Sequence, residues 1–380
     1  MDRNDYRKEI DGIDEKLTEL FVRRMSVAGS IAEYKKEHGL PVLDAKRERD
    51  KLESIAAQTP EELREYVSLL YQMIFELSRS YQQSLIGCND GLTARIKDAI
   101  ENTPRLFPSH IPVACQGVEG AYSQLACEKL VRNASIMFLS GFDAVFSAVE
   151  QGLCRYGVVP LENSTAGSVN SVYDLMMQHR FSIVRSVRLK IDHNLLANPG
   201  SSLDGIREIY SHQQALSQCR SFLQTLPGVR VIPCENTAVA AMHVAQSGRN
   251  DVAAICSRIC APLYGLECLR ESVQDKGNNY TRFICISKKL EIYPGADRTS
   301  LMATLPHRPG ALYKLLSRFY TLGINLNKLE SRPIPDRDFE FMFYFDLDAP
   351  VYAPQLLQLM GELGGVCESF AYLGSYSEVI

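Results

Sequence analysis

No run of 18 apolar residues occurs anywhere in this sequence, so no membrane-spanning helix is expected. The opening MDRNDYRKEIDG is polar and charged and lacks the apolar core of a secretory signal. Positive charge is not in excess. With 41 Lys and Arg against 45 Asp and Glu the net charge is −4, which argues against a nucleic-acid-binding surface and leaves room only for a local basic pocket. No Gly-x-Gly-x-x-Gly run follows a strand pattern, which disfavours dinucleotide-dependent redox chemistry. The 11 cysteines are odd in number and scattered, and the closest pair, Cys256 and Cys260, has no histidine at zinc-site spacing. Free thiols, a cytoplasmic location, no metal and no cofactor are the expectation.

What is present is a long globular chain. At 380 residues, 46% apolar and 23% charged, two or three domains are expected. Residues 1–87 read as a helical domain with helices over 6–38 and 44–57 and a third, opened by an N-cap at Thr59, running to about residue 85. The first helix carries an apolar stripe of Ile10, Ile13, Leu17, Leu20, Val27 and Ile31, and at about 100° per residue Arg24 and Lys35 fall inside it. Charge on a face meant for burial is costly unless paired, so the stripe implies an anionic ligand within a helical bundle. Three helices of this length make a poor monomeric core, and the exposed stripe predicts a dimer.

Residues 88–111 read as a weakly patterned linker. From 112 to 290 short apolar runs alternate with helical segments in two similar halves, an α/β pattern of two lobes flanking a cleft. Strands are expected over 156–160, 182–190, 194–197, 208–210, 229–233, 252–256 and 282–287. Residues 297–377 follow the order βαββαβ of a ferredoxin-like unit.

Around the first stripe, Asp44, Arg47, Glu48 and Lys51 share one side of the second helix, and Ser78 and Gln82 lie one turn apart on the third. Arg7 is offset from the Arg24/Lys35 line and is placed to serve a partner chain. This set, with Tyr6-Arg7-Lys8-Glu9-Ile10-Asp11, resembles the all-helical chorismate mutases. The resemblance implies an intertwined dimer in which Arg24, Arg47 and the Arg7 of a second copy hold the carboxylates of chorismate. Lys35 and Gln82 would donate to its ether oxygen, Glu48 would accept from its ring hydroxyl, and Ser78 and Asp44 would lie nearby. The pericyclic rearrangement needs no nucleophile. It needs the dianion held compactly and donors placed where charge develops.

The middle segment carries Val159-Pro160-Leu161-Glu162-Asn163-Ser164 before a helix near Asn170, Ser211-His212-Gln213-Gln214 after a strand, and Thr281-Arg282-Phe283 in the last strand. Small and hydroxylic residues before a helix N-terminus suit either plain capping or an anion. His212, with no acidic partner in view, reads as a capping residue. The three clusters resemble prephenate dehydratase, which implies Thr281 as the key catalytic residue and Asn163, Ser164, Ser211, Gln218 and Arg282 as pocket residues. Arg282 would neutralise a carboxylate or position the strand end. A family motif at Gly117-Val118-Glu119-Gly120-Ala121-Tyr122-Ser123 lacks its proline, as does Ser211–Gln214. Thr281 is too weak an acid to protonate outright, so it is expected to act as a positioned hydrogen-bond donor.

In the last unit, Gly310-Ala311-Leu312 and Glu330-Ser331-Arg332-Pro333 resemble ACT regulatory domains of the phenylalanine-binding type, which implies phenylalanine as an effector. The combination is similar to bifunctional chorismate mutase–prephenate dehydratases, homodimeric or larger. Two other readings are open at this stage: a dehydratase whose helical unit is weak or regulatory, and a non-catalytic amino-acid sensor with a periplasmic-binding-like middle segment.

Overall fold

The computed structural model describes residues 2–86, 91–334 and 340–379. Gly87, Cys88 and the first residues of the expected linker, 88–90, lie outside them. Helix α1 spans Arg3–Glu37, and the Asp2 side chain caps it while Asp5 reaches back in a capping box. Helix α2 (Ala45–Ala57) starts where the Asp44 carboxylate accepts from the Arg47 amide at 3.0 Å. Thr59 does not cap the third helix as expected. Its hydroxyl donates back to the Ile55 carbonyl at 2.8 Å and closes α2, and the chain enters α3 (Arg64–Ile86) through a single 3-10 turn at Glu61–Leu63. The linker contains a helix, α4 (Gly91–Asn102), which buries Ile96 and Ala99. Its apolar stripe is too short to stand out in the sequence.

Strand β1 (Pro112–Gln116), α5 (Tyr122–Leu130), β2 (Ser135–Leu139), α6 (Phe142–Glu150), β3 (Tyr156–Asn163), a two-residue β4 (Gly167–Ser168), α7 (Asn170–His179) and β5 (Ser182–Lys190) build the first lobe. The chain then forms β6 (Asn194–Ala197), β7 (Glu208–His212), α8 (Gln213–Gln218), α9 (Arg220–Gln224), β8 (Arg230–Cys234), α10 (Thr237–Ser247), β9 (Val252–Cys256), α11 (Cys260–Tyr264) and β10 (Glu267–Arg270). These strands make a separate sheet in the order β10-β6-β9-β7-β8. The chain returns as β11 (Tyr280–Ser287), inserted antiparallel between β5 and β3 of the first lobe. Two expectations shift here. Strand β3 continues through Asn163, with Glu162 opposite Arg282 but Pro160 opposite Phe283. Leu161 is thus the extra residue of a bulge, and a proline is tolerated beside it. Strand β7 likewise includes Ser211 and His212.

The C-terminal segment adds β12 (Arg298–Thr304), α12 (Ala311–Thr321), β13 (Asn325–Pro333), β14 (Phe341–Asp348), α13 (Pro354–Leu363) and β15 (Ser369–Val379). Its strands extend the first sheet to ten, β15 pairing parallel with β5. By compactness the chain divides into residues 1–97, 303–326 and 352–370, and residues 98–302, 327–351 and 371–380. This division does not follow the expected boundaries: α12 and α13 fall in the first unit, and most of the C-terminal strand residues in the second. In the first unit Ser80 Oγ donates to Glu362 at 3.0 Å and Arg318 donates to the Glu76 carbonyl at 2.9 Å. The second unit is cored by two clusters on either face of the first sheet, one holding Phe146, Tyr173 and Ile284, the other Leu130, Tyr156 and Val158.

Candidate active sites

In the first unit the guanidinium of Arg24 donates to Ser78 Oγ and stands 5.6 Å over the Phe75 ring. Lys35 Nζ donates to the Val42 carbonyl at 2.5 Å. Both oxygens of Glu48 accept from Arg79 at 2.5 Å. Burial lowers the pKa of Arg24 and of Lys35, and in each case the negative charge of Glu48 works against it. Asp44 also favours the Lys35 ammonium and Arg47 disfavours it. Arg24, Lys35, Asp44, Arg47, Glu48 and Ser78 therefore share one electrostatic neighbourhood. Gln82 is buried, and its Oε1 has no hydrogen-bond partner among the described residues. Arg7 stands apart, exposed and unpaired among the described residues. The apolar stripe of α1 is not covered by the chain's own residues, Ile10 to Ile31 being 40% to 62% exposed. Arg79 escaped the sequence reading. Its signal was Glu76 one turn earlier, with which it pairs at 3.6 Å.

In the second unit, Asn163 at the end of β3 organises a second cluster. Its Nδ2 donates to Thr281 Oγ1 at 2.9 Å and to Asn279 Oδ1 at 2.8 Å. Its Oδ1 accepts from the amides of Thr165 and Ala166 and from the Thr165 hydroxyl at 2.7 Å. Gln218 Nε2 donates to Thr165 Oγ1 at 2.7 Å. Thr281 is thus a hydrogen-bond acceptor, and its own proton meets no acceptor among the described residues. Thr165, Gln214, Gln218, Lys276 and Asn279 line a cavity of about 250 Å³, to which Thr281 is joined through Asn163. Ser164 ties the cluster to the 278–280 segment: its hydroxyl donates to the Asn278 carbonyl and accepts from the Tyr280 amide, both at 2.9 Å. The sequence reading missed Thr165, Lys276 and Asn279, which sit in loops with no periodicity to expose them.

Two expected pocket residues lie elsewhere. Ser211 is fully buried and donates to the Ile255 carbonyl at 2.6 Å, bracing β7 against β9. Arg282 follows Thr281 on β11, and adjacent strand residues point to opposite faces. It is 5% exposed, donates to Asp346 and to the Tyr376 hydroxyl, and reaches Glu162 at 3.3 Å. Burial alone would lower its pKa, but its surroundings, the Tyr376 hydroxyl it donates to and the Asp346 carboxylate, outweigh it and hold the guanidinium ionised. Of the two roles expected of Arg282, this placement fits positioning of the strand and not contact with a carboxylate in the Thr281 cluster. His212 caps α8 as expected, accepting from the Gln214 amide at 3.3 Å. The helix α7 has no side-chain cap, and the hydroxyls of Ser164 and Thr165 before it serve the Asn163 cluster instead. In the turn that lost its proline, Gly120 keeps φ at +88°, and a Cβ there would meet Cys260 Sγ at 2.9 Å.

Of the C-terminal candidates, Gly310 precedes α12 with φ at +78°, followed by buried Ala311 and half-buried Leu312. In the second unit Glu330 accepts from Ser168 Oγ at 2.5 Å, Arg332 forms a two-pronged pair with Asp174 at 2.9 and 3.0 Å, and Ser331 is exposed. Among the described residues no group of His, Cys, Asp and Glu is arranged to hold a metal, and no helix is long and apolar enough to cross a membrane.

Residues 6–83 match the family described as chorismate mutase type II, and residues 113–291 match prephenate dehydratase. A bifunctional chorismate mutase/prephenate dehydratase of Escherichia coli K12 is 32% identical over 379 residues, covering 97% of this chain and 95% of the relative. Among solved structures, a prephenate dehydratase in complex with L-Phe from Arthrobacter aurescens is 29% identical with a TM-score of 0.65, covering 70% of this chain and 90% of that one. A structure described as GqqA, a novel type of quorum quenching acylase, is 33% identical with a TM-score of 0.64, covering 70% and 97%. Matched almost from end to end by enzymes that join two activities in one polypeptide, the chain belongs to the family of bifunctional chorismate mutase/prephenate dehydratases.

Proposed function

We propose that the chain's two reactions, chorismate to prephenate and prephenate to phenylpyruvate, are carried by separate segments, 1–87 and 112–290, with 297–377 a regulatory ACT domain. The observation that carries the reading is the hydrogen bond from Asn163 to Thr281, which leaves the threonine proton free to donate in a cluster tied, through Asn163 and Thr165, to the wall of a cavity.

In the first segment, Arg24 and Arg47 bind the two carboxylates of chorismate together with Arg7 of a second copy. The exposed α1 stripe supports such a dimer, because an apolar face this long is stable in water only when covered. Guanidinium forks match carboxylates, and the single point charge of Lys35 suits the ether oxygen, where negative charge grows as the C–O bond breaks. Gln82, whose buried amide is unsatisfied at Oε1, donates from its nitrogen to the same oxygen. Glu48 accepts from the ring hydroxyl, and Asp44 and Ser78 hold α2 and Arg24 in place.

In the second segment, prephenate loses CO2 and its allylic hydroxyl. The electrons of the broken C–C bond pass through the ring as the C–O bond breaks, and the hydroxyl leaves as water after gaining a proton. Thr281 donates a hydrogen bond to that hydroxyl, and the proton itself arrives through water. Asn163, Ser164 and Gln218 shape the cavity, Ser211 braces its second lobe, Arg282 holds β11, and the cation facing the dianion is Lys276. Neither reaction needs a cofactor or metal.

Phenylalanine acts as effector of the 297–377 segment, a reading supported by the L-Phe complex of the Arthrobacter relative. The test is the purified chain given chorismate, following prephenate and phenylpyruvate with and without phenylalanine. The reading requires both products in sequence and a slower second step with phenylalanine present. Phenylpyruvate formation indifferent to phenylalanine contradicts the regulatory part.

A further inference from the structure

His193 sits between β5 and β6, 3% exposed, in none of the sequence motifs of the dehydratase segment. Its backbone is pinned on both sides: the amide donates to Gln274 Oε1 and the carbonyl accepts from the Val273 amide, both at 2.8 Å. The ring packs edge-on against Tyr122 with centroids 6.0 Å apart. Nε2 lies 3.1 Å from Gln218 Oε1, while Nδ1 is buried with no partner among the described residues. An amide oxygen only accepts, so the proton is on Nε2. Burial lowers the pKa, which keeps the ring neutral and its Nδ1 bare.

The orientation of Gln218 agrees with this tautomer and with a second donor. Its Oε1 takes two donors, His193 Nε2 and Asn279 Nδ2 at 3.0 Å, so its Nε2 must turn to the cavity wall and donate to Thr165 Oγ1 at 2.7 Å. Thr165, having accepted there, donates to Asn163 Oδ1 at 2.7 Å, and Asn163 donates to Thr281. Each bond runs in the same sense, from His193 towards Thr281. Asn163 is also held by the amides of Thr165 and Ala166, so what His193 controls is the pair on the wall, Gln218 and Thr165. A flipped Gln218 would set its NH2 against two donors and turn the Thr165 proton away from Asn163.

We propose that His193 is a positioning residue for the dehydratase reaction: its Nε2–H fixes the amide of Gln218, and through it the hydroxyl of Thr165, on the wall of the prephenate cavity. The proposal rests on the reading of the Thr281 cluster given above. Its consequence is that a side chain keeping a neutral donor at the Nε2 position replaces His193, and one without a donor does not.

The experiment measures prephenate turnover by the full chain carrying His193→Leu, His193→Gln, Gln218→Leu and the His193→Leu/Gln218→Leu pair, with chorismate turnover by the same preparations as a check on folding. His193→Leu lowers kcat/KM on the order of tenfold to a hundredfold, the scale of misplacing a site group by a fraction of an ångström to an ångström. His193→Gln recovers most of that loss, and the double variant is no slower than Gln218→Leu alone, because His193 acts through Gln218. Unchanged turnover in His193→Leu overturns the proposal. So does a His193→Gln as slow as His193→Leu, and so does a double variant that shows the two losses multiplied. Thr281→Val separates the two levels: if it keeps full activity, the site reading itself has failed, whereas if it is inactive while His193→Leu is not, only the role of His193 falls.

Discussion

Thr281 Oγ1 accepts a 2.9 Å hydrogen bond from Asn163 Nδ2 and leaves its own proton unspent. A threonine in this state is a fixed donor, and donors aimed at a leaving group are the part of a site whose loss is felt most in kcat. Thr281→Ser keeps the hydroxyl and is expected to hold prephenate turnover within about tenfold, while Thr281→Val lowers it by about a hundredfold to a thousandfold. Steady-state rates on prephenate check this. A valine variant with near-native kcat removes the threonine from the chemistry.

The half-buried position of Lys35 predicts a pH dependence for the first reaction. Burial depresses the pKa of its ammonium, and the role proposed for Lys35 at the ether oxygen needs that ammonium charged. A cation with a lowered pKa is lost earlier as pH rises. Mutase kcat/KM is therefore expected to fall on the alkaline side below the usual range of lysine, and Lys35→Arg, which stays charged, should move the fall to higher pH even at a lower maximum. A profile that is identical in the two proteins assigns the alkaline limb to another group.

Arg282 and Asp346 form a buried pair on the face of β11 away from Thr281, 5% and 3% exposed. Removing one partner strands the other. Arg282→Met is expected to cost about 3–5 kcal/mol of stability, with Arg282→Met/Asp346→Leu recovering part of it. Denaturant unfolding of the three proteins reads this directly. Equal stability of single and double variants excludes Asp346 as the partner that matters.

Much of this fold was legible because its signals are local. Strands 182–190, 194–197 and 252–256 coincide with β5, β6 and β9, since short runs rich in apolar and β-branched residues mark strands well. The linker helix α4 was not legible, because its apolar stripe covers barely two turns. In the mutase segment Arg24, Lys35, Asp44, Arg47, Glu48 and Ser78 share one neighbourhood, while Arg7 stands apart and Gln82 Oε1 has no hydrogen-bond partner among the described residues. Motif residues of the dehydratase segment divided, and the reason is strand geometry: a Thr-Arg pair within one strand must face opposite ways, so a sequence motif is not a pocket. His193, Thr165 and Asn279 were hidden for a different cause. Each gains its role from a partner at least 25 positions away or from a loop turn, and no periodicity records such contacts.

The α1 stripe gives an oligomer prediction. Leu17 and Leu20 are 53% and 62% exposed in the single chain. Leu17→Glu with Leu20→Glu is expected to shift the protein towards monomer in light scattering and to lower chorismate turnover by about a hundredfold, since Arg7 of a second copy is then missing from the pocket. Prephenate turnover, which uses residues of one chain, should persist. Loss of both activities together, or of neither, contradicts the shared mutase pocket.

The claim that two separate sites act in series is tested most directly by feeding chorismate and prephenate in parallel to Lys35→Ala and Thr281→Val. Lys35→Ala should make neither product from chorismate yet convert prephenate to phenylpyruvate at close to the native rate. Thr281→Val should turn chorismate into prephenate and stop there, with prephenate accumulating one for one. A Thr281→Val protein that still forms phenylpyruvate at the native rate, or a Lys35→Ala protein unable to use prephenate, would contradict the account.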